Sequence, residues 1–444
     1  MFTSEIKTYT YTNKEIQRVQ ILRLEDWHHI SFFQPAYSED AFRQLCNLYS
    51  NYMVKKYAYV QGTNLLFTLP EDLRLPWTNH PRYGVLYDPL CMVSAMFRDH
   101  IFLRNKQLIF KNKSTEELYH QLQDRGCIHL ASGKLPILSV LPVRKSFGFL
   151  SQENKDASMK VNASFFTMNS LDIGTVYDSL ATSIGLCVQR GEILNPPLFD
   201  REVFTVDKQG KTAVRRISLK DLDIRIGNQR YRDGENCRIL SRPEHSYTPR
   251  HGYDLIVVDR QVTAFRRSGG LIPSSGFVIH TDILPELPDT QVRYGGLEDM
   301  LFAVQAGNSA VINGIPTNRF LSSFHDLKKP WIPPYPPTLY PLDYARDRAP
   351  RIVIGADMQD QPMILWFEGA GKYGYQPGKE SCGASLKESA EICAELGMKN
   401  GVHLDGGGSA QILCANKREL LLSDRDPVTY EENERAVVNG LIVQ

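Results

Sequence analysis

The chain has 444 residues, a net charge of +1, 42% hydrophobic and 23% charged residues. That is the profile of a globular protein with a sizeable core, long enough for two domains or one large one. It excludes nucleic-acid binding driven by a general basic field, and no basic tract interleaved with aromatics appears, so any anion must be held by local geometry.

The first residues, MFTSEIKTYTYTNKEIQRVQ, lack the apolar core of a signal peptide, and no apolar run is long enough to span a bilayer. Eight cysteines (Cys46, Cys91, Cys127, Cys187, Cys237, Cys382, Cys393, Cys414) are scattered with no C-x-x-C pair. They read as buried thiols in a reducing compartment, so a cytoplasmic protein is expected, with export by another route left open.

Residues 5 to 35 carry β-branched and aromatic side chains at strand spacing. Ser38 then caps a helix with Phe42, Leu45, Cys46 and Tyr49 on one face, and Ser114 with Glu117 opens a second helix that Gly126 stops. The polar stretch from Ser151 to Asp156 is the expected boundary between an N-terminal α+β region of unknown role (1–150) and a larger domain (151–444). Beyond it, Val161–Phe166, Ile184–Gln189, Asp254–Val258, Phe277–His280 and Ala310–Ile312 read as strands. The proline-rich segment 329–337 reads as an extended surface insertion. Residues 351 to 367 form a hairpin around Gln359-Asp360-Gln361. Ser385 and Glu388 make a capping box for a helix whose buried stripe is Leu386, Ala390, Cys393 and Ala394, ended by Gly397. The predicted class is α+β: mixed or antiparallel sheets, few helices, and a smaller α+β region in front.

A strand after that helix leads into Gly401-Val402-His403-Leu404-Asp405-Gly406-Gly407-Gly408-Ser409. Alternation places His403 and Asp405 on one face, Val402 and Leu404 on the other. The glycines let bare N–H groups approach a ligand beside the carboxylate. That arrangement suits a reaction in which one bond breaks and an anion must be held.

Four ordered blocks resemble the phosphodiester glycosidase family. They are Val161-Asn-Ala-Ser-Phe-Phe166; Pro350-Arg-Ile-Val-Ile-Gly355; the run from Glu368-Gly369 through Gly383–Ala390 to Leu404-Asp-Gly-Gly-Gly-Ser409; and Ser423-Asp424 with Glu434-Arg-Ala-Val-Val-Asn439. Ala163 and Ser164 stand where the family usually has glycines, His403 where it often has Asn, and Ala436 where Pro is common. The resemblance implies a hydrolase that cleaves the bond between an anomeric carbon and a phosphate oxygen, releasing a sugar and a phosphomonoester. Asp405 is then expected as nucleophile or base, and Gly406, Gly407, Gly408 and Ser409 as donors to the phosphate.

Glu368 is the expected second carboxylate, because the strand ending there should lie beside the Asp405 strand. Arg351 and Arg435 are candidate phosphate clamps; Arg351 reads equally well as a structural partner of Asp357 or Asp424. Asn162 and Asn439 would hydrogen-bond sugar hydroxyls or hold loops. His403 could orient or protonate Asp405, or be a satisfied core histidine. His251 and His280 stand alone and read as structural. Asp405, Glu368 and Asp424 could between them hold a divalent cation, but no ligand spacing demands one, so no metal or other cofactor is expected.

The expected partner is a sugar-phosphate or glycan substrate, with no nucleic acid and no membrane span. A non-catalytic glycan-binding module of an adhesion or phage-tail assembly is the competing reading. An enzyme acting on a nucleotide-linked sugar is a third, although neither G-x-x-x-x-G-K-[ST] nor G-x-G-x-x-G occurs.

Overall fold

The computed structural model describes residues 2–41 and 44, short strands between residues 58 and 142, residues 146–317 and residues 347–444, apart from brief stretches at 168–176, 178–180, 199–200, 243, 246, 271, 274, 286–288, 372–374 and 427. The expected helix at Ser114 and the proline-rich segment lie outside the described residues. So does the apolar stripe of the first helix, although its start at residue 39 is seen and Ser38 Oγ accepts from Ala41 N at 3.3 Å.

The central element is a seven-stranded antiparallel sheet. Its order across the sheet is Phe2–Thr10, Ile16–Leu24, Pro362–Phe367, Arg351–Asp357, Met398–His403, Ser309–Ile312, Ile315–Pro316. The runs Ile352-Val353-Ile354 and Met363–Phe367 are apolar at every position because both faces of these strands are covered. Ile352, Ile354, Ile364, Trp366 and Val402 enter the main core, whereas Val353, Leu365 and Phe367 pack on the opposite face with Ala390 and Cys393 of the helix Leu386–Glu395. Each such apolar side chain contributes about 1.5–3 kcal/mol by leaving water. The helix starts at the expected capping box, with Glu388 N donating to Ser385 Oγ at 3.2 Å and Ser385 N to Glu388 Oε2 at 2.9 Å. It ends before Gly397, whose φ of +88° a side chain would resist.

A second, four-stranded sheet runs Ile412–Cys414, Met159–Asn162, Gly440–Val443, Ile30–Phe33. Trp27, just ahead of it in the chain, packs against Phe204 and Phe302 of a five-stranded sheet at ring distances of 5.2 and 5.5 Å. A further four-stranded sheet comprises Arg238–Ser241, Gly276–Thr281, Tyr253–Val258 and Gln261–Arg267. Every strand pairing is antiparallel among the described residues, and helices are few, so the class is α+β.

The boundary expected at 151–156 does not separate the first 33 residues from the rest. Ile16–Leu24 is hydrogen-bonded in register with Pro362–Phe367, from Val19 opposite Phe367 to Arg23 opposite Met363. Ile30–Phe33 pairs with Gly440–Val443. Val19 and Ile21 are fully buried, so these N-terminal strands are part of the C-terminal core. A polar stretch is a domain boundary only where no strands pair across it, and here two pairs do.

Candidate active site

The chain changes sheets at the carboxylate. Leu404 N still donates to Ile352 O of the seven-stranded sheet at 2.8 Å, whereas Asp405 N donates to Ala163 O, beyond the strand Met159–Asn162 of the other sheet, at 2.9 Å. The strand therefore ends at His403, and its alternation no longer governs where Asp405 points. His403 faces the helix instead. Its Nδ1 lies 3.0 Å from Asn308 O and its Nε2 lies 2.8 Å from Ser389 Oγ. A carbonyl can only accept, so Nδ1 carries the proton and Nε2 accepts from Ser389. Burial drives the imidazole pKa down to about 3, which keeps it neutral. His403 is a satisfied core histidine, and the expectation that it orients or protonates Asp405 is corrected.

Asp405 is 6% exposed, and burial pushes its carboxyl up to about 7. The Ser409 hydroxyl, the Arg435 guanidinium and the Gly406 N–H hold it from rising further. Asp405 Oδ2 and Ser409 Oγ are both buried without a hydrogen bond of ordinary geometry. Two buried polar atoms without a well-formed hydrogen bond call for an explanation, and a site awaiting a ligand is one.

The glycines make the turn that brings these groups together. Residues Gly407–Ser409 form a single 3-10 turn, with Ala410 N donating to Gly407 O at 3.2 Å. Gly407 has φ +58°. Its N–H donates to Pro350 O at 2.9 Å, so it is not available to a phosphate as the sequence suggested. A Cβ on Gly408 would lie 2.0 Å from Arg435 Nη2, because the guanidinium lies directly over that residue. Arg435 is anchored there by Asp424, whose Oδ2 accepts Nε at 3.0 Å and Nη2 at 2.7 Å. Asp424 is the residue that the site reading missed as Arg435's partner. Its presence with Arg435 in the fourth motif block was the available signal.

Both asparagines hold loops. Asn162 Nδ2 donates to Asp405 O at 2.7 Å and its Oδ1 accepts from Gln411 N at 3.0 Å, which splints the carboxylate turn at both ends. Asn439 Oδ1 accepts from Ser164 N at 2.9 Å, and its Nδ2 donates to Ser164 Oγ at 3.0 Å. Ser164, a departure from the usual glycine, thus has its hydroxyl engaged.

Glu368 is placed differently from expectation. The strand Arg351–Asp357 lies between Pro362–Phe367 and Met398–His403, so the strand ending before Glu368 is not the neighbour of the Asp405 strand. Its carboxylate is fully buried and fully occupied. Oε2 accepts from Ser381 N at 3.1 Å and Ser381 Oγ at 2.5 Å and pairs with Arg18 Nε at 2.7 Å, while Oε1 accepts from Leu421 N at 2.9 Å. Such a group ties the N-terminal strand to two C-terminal loops. Arg351 is likewise anchored to carbonyls, donating to Ala384 O at 3.2 Å and Asp347 O at 3.1 Å, not to Asp357 or Asp424. Asp405, Glu368 and Asp424 do not gather as a cation site; no such cluster of three His, Cys, Asp or Glu occurs among the described residues.

Residues 277–444 match the family model described as phosphodiester glycosidase. Two solved structures are similar over 100% of this chain. One is a hypothetical protein from Synechocystis, with 16% identity and a TM-score of 0.44, of which this chain spans 62%. The other is the zebrafish N-acetylglucosamine-1-phosphodiester alpha-N-acetylglucosaminidase catalytic domain auto-inhibited by pro-peptide, with 9% identity and a TM-score of 0.41, of which this chain spans 83%. Among curated protein sequences none matches the chain.

Proposed function

We propose that the protein is a hydrolase that cleaves the anomeric carbon–oxygen bond of a sugar-1-phosphodiester, using Asp405 as the reacting carboxylate. Water adds to the anomeric carbon, the phosphate oxygen leaves with the bond's electrons, and the products are a sugar and a phosphomonoester. A phosphate is already a weak base, so strong protonation of the leaving group is not required. The carboxylate supports the oxocarbenium-like carbon as nucleophile or base. The Arg435 charge, fixed over Gly408, would face the developing phosphate charge, and the Ser409 hydroxyl would complete the cradle. The observation that carries the reading is that Asp405 Oδ2 and Ser409 Oγ are both buried and neither makes a hydrogen bond of ordinary geometry.

The test is a panel of sugar-1-phosphodiesters with products identified by mass. In heavy-oxygen water the label is expected on the sugar, since the carbon–oxygen bond is the one that breaks; label on phosphate overturns the mechanism. Asp405→Asn should fold and lose turnover by at least about a hundredfold. Undiminished turnover in that variant removes Asp405 from the chemistry.

The saturated Glu368 favours one competing reading, a glycan-binding module that keeps the scaffold without a second catalytic acid. Glycan binding by the wild-type chain and the Asp405 variant alike, with no product from any substrate, would select it.

A further inference from the structure

The four-stranded sheet containing Tyr253–Val258 and Gly276–Thr281 holds a buried charge network that the chemistry above does not use. Asp254 is fully buried; its Oδ2 accepts from Thr248 Oγ1 at 2.6 Å and from Arg266 Nε at 3.3 Å. Its Oδ1 lies 3.1 Å from His280 Nδ1, and Ser268 Oγ lies 3.1 Å from the same ring nitrogen. The carboxylate can only accept, so Nδ1 carries a proton and Nε2 is the remaining polar atom of the ring. The backbone closes on the ring's edge at Gly252, where a Cβ would lie 3.1 Å from His280 Cε1 and 2.6 Å from Thr281 O. With φ +90° as well, this position is suited to glycine alone, and the packing pins the imidazole.

That ring lines an open cleft of about 410 Å³ together with Glu235, Arg238, His251 and Asp282. The volume falls within the range of roughly 300–1,000 Å³ that small-molecule sites occupy. Arg238 and His280 are direct partners on neighbouring strands, so their side chains project to one face. Among the described residues no protein acceptor meets the Arg238 guanidinium or His280 Nε2. Glu235 is turned to Arg232, 3.4 Å away, which leaves Asp282 as the remaining acid of the lining.

We propose that this cleft is a second binding site, distinct from the Asp405 turn, that takes the phosphoryl group of a phosphate monoester. The Arg238 fork matches phosphate oxygens, and His280 Nε2, held toward the cleft by the Asp254 contact at Nδ1, meets the phosphoryl group. His251 adds a third donor, and Asp282 accepts a hydroxyl from the organic part of the ligand. Free phosphate and a sugar phosphate share the recognised group, so both are used as probes.

The experiment titrates the full chain with inorganic phosphate, glucose 1-phosphate and glucose, following the His280 ring-nitrogen resonances and the heat of binding. Both phosphates are expected to shift the His280 signals, with glucose without effect. Because His280→Gln would strip Asp254 of a buried partner, the exposed Arg238 carries the test: Arg238→Gln should weaken phosphate binding about tenfold or more. Asp405→Asn should leave the His280 response unchanged, which separates this site from the proposed reaction. Unmoved His280 signals, an equal response to glucose, or undiminished affinity in Arg238→Gln would each overturn the proposal.

Discussion

Asp405 holds its proton far more tightly in the folded chain than its ordinary value of 3.8, and burial is the cause. A reaction that needs the carboxylate should therefore show kcat/KM rising with pH through about 7 and levelling above it, measured as a pH–rate profile. Stability follows the opposite course. The unfolded chain releases this proton near 3.8 while the folded chain keeps it to about 7, so stability falls as pH rises between those values. Asp405→Asn removes that penalty and should be more stable than wild type by on the order of 4 kcal/mol above pH ~7, with the difference becoming small near pH ~4, read from urea unfolding at the two pH values. Gly408→Ala makes the complementary case. The added methyl meets the end of the Arg435 side chain and not backbone. The variant should lose about tenfold or more in turnover as Arg435 leaves Asp424, and its melting temperature should fall because Asp424 is left buried without its cation.

At the level of strands and helices, Gly355 and Gly401 face each other across the central sheet. A Cβ on Gly355 would lie 2.2 Å from Asn400 O, which is backbone and cannot give way. Gly355→Ala should cost about 1–3 kcal/mol in urea unfolding. Much at this level was legible in the residues. The apolar runs at 352–354 and 363–367, the turn at Asp360 and the Ser385–Glu388 box depend on local periodicity and capping, and each appears as expected. Which strands neighbour one another is a long-range property that no local pattern encodes. Local pattern alone puts Glu368 beside the Asp405 strand, whereas Arg351–Asp357 lies between them. The same limit applies to the site. The loop holding Asp405, Ser409 and the glycines could be read from its own residues, as could Asn162 in a loop-holding role. The engagement of His403 by Ser389 and Asn308, and of Arg435 by Asp424, depends on tertiary contacts between separate segments.

For the molecule as a whole, the N-terminal strands decide what can fold. A fragment beginning at residue 151 would lack Ile16–Leu24, leaving Pro362–Phe367 as an open apolar edge, and would lack Arg18, the cation paired with buried Glu368. Leaving buried Glu368 without its half-buried cation costs about 1–3 kcal/mol, before the lost apolar burial is counted. Residues 151–444 alone should be insoluble or show no cooperative thermal transition by circular dichroism, whereas the full chain melts cooperatively. A soluble, cooperatively melting fragment would show that the sheet closes without its first strands.

The pairing of Val19 with Phe367 also sets a timetable for biosynthesis. The partner for the inner edge of the hairpin of residues 2–24 emerges from the ribosome only after more than three hundred further peptide bonds have been made. At about 5–20 residues per second that wait lasts on the order of tens of seconds. Throughout it, the nascent polypeptide presents an unzipped greasy ribbon to the cell. Chaperones that shield such ribbons should therefore govern how much of this protein reaches its native state.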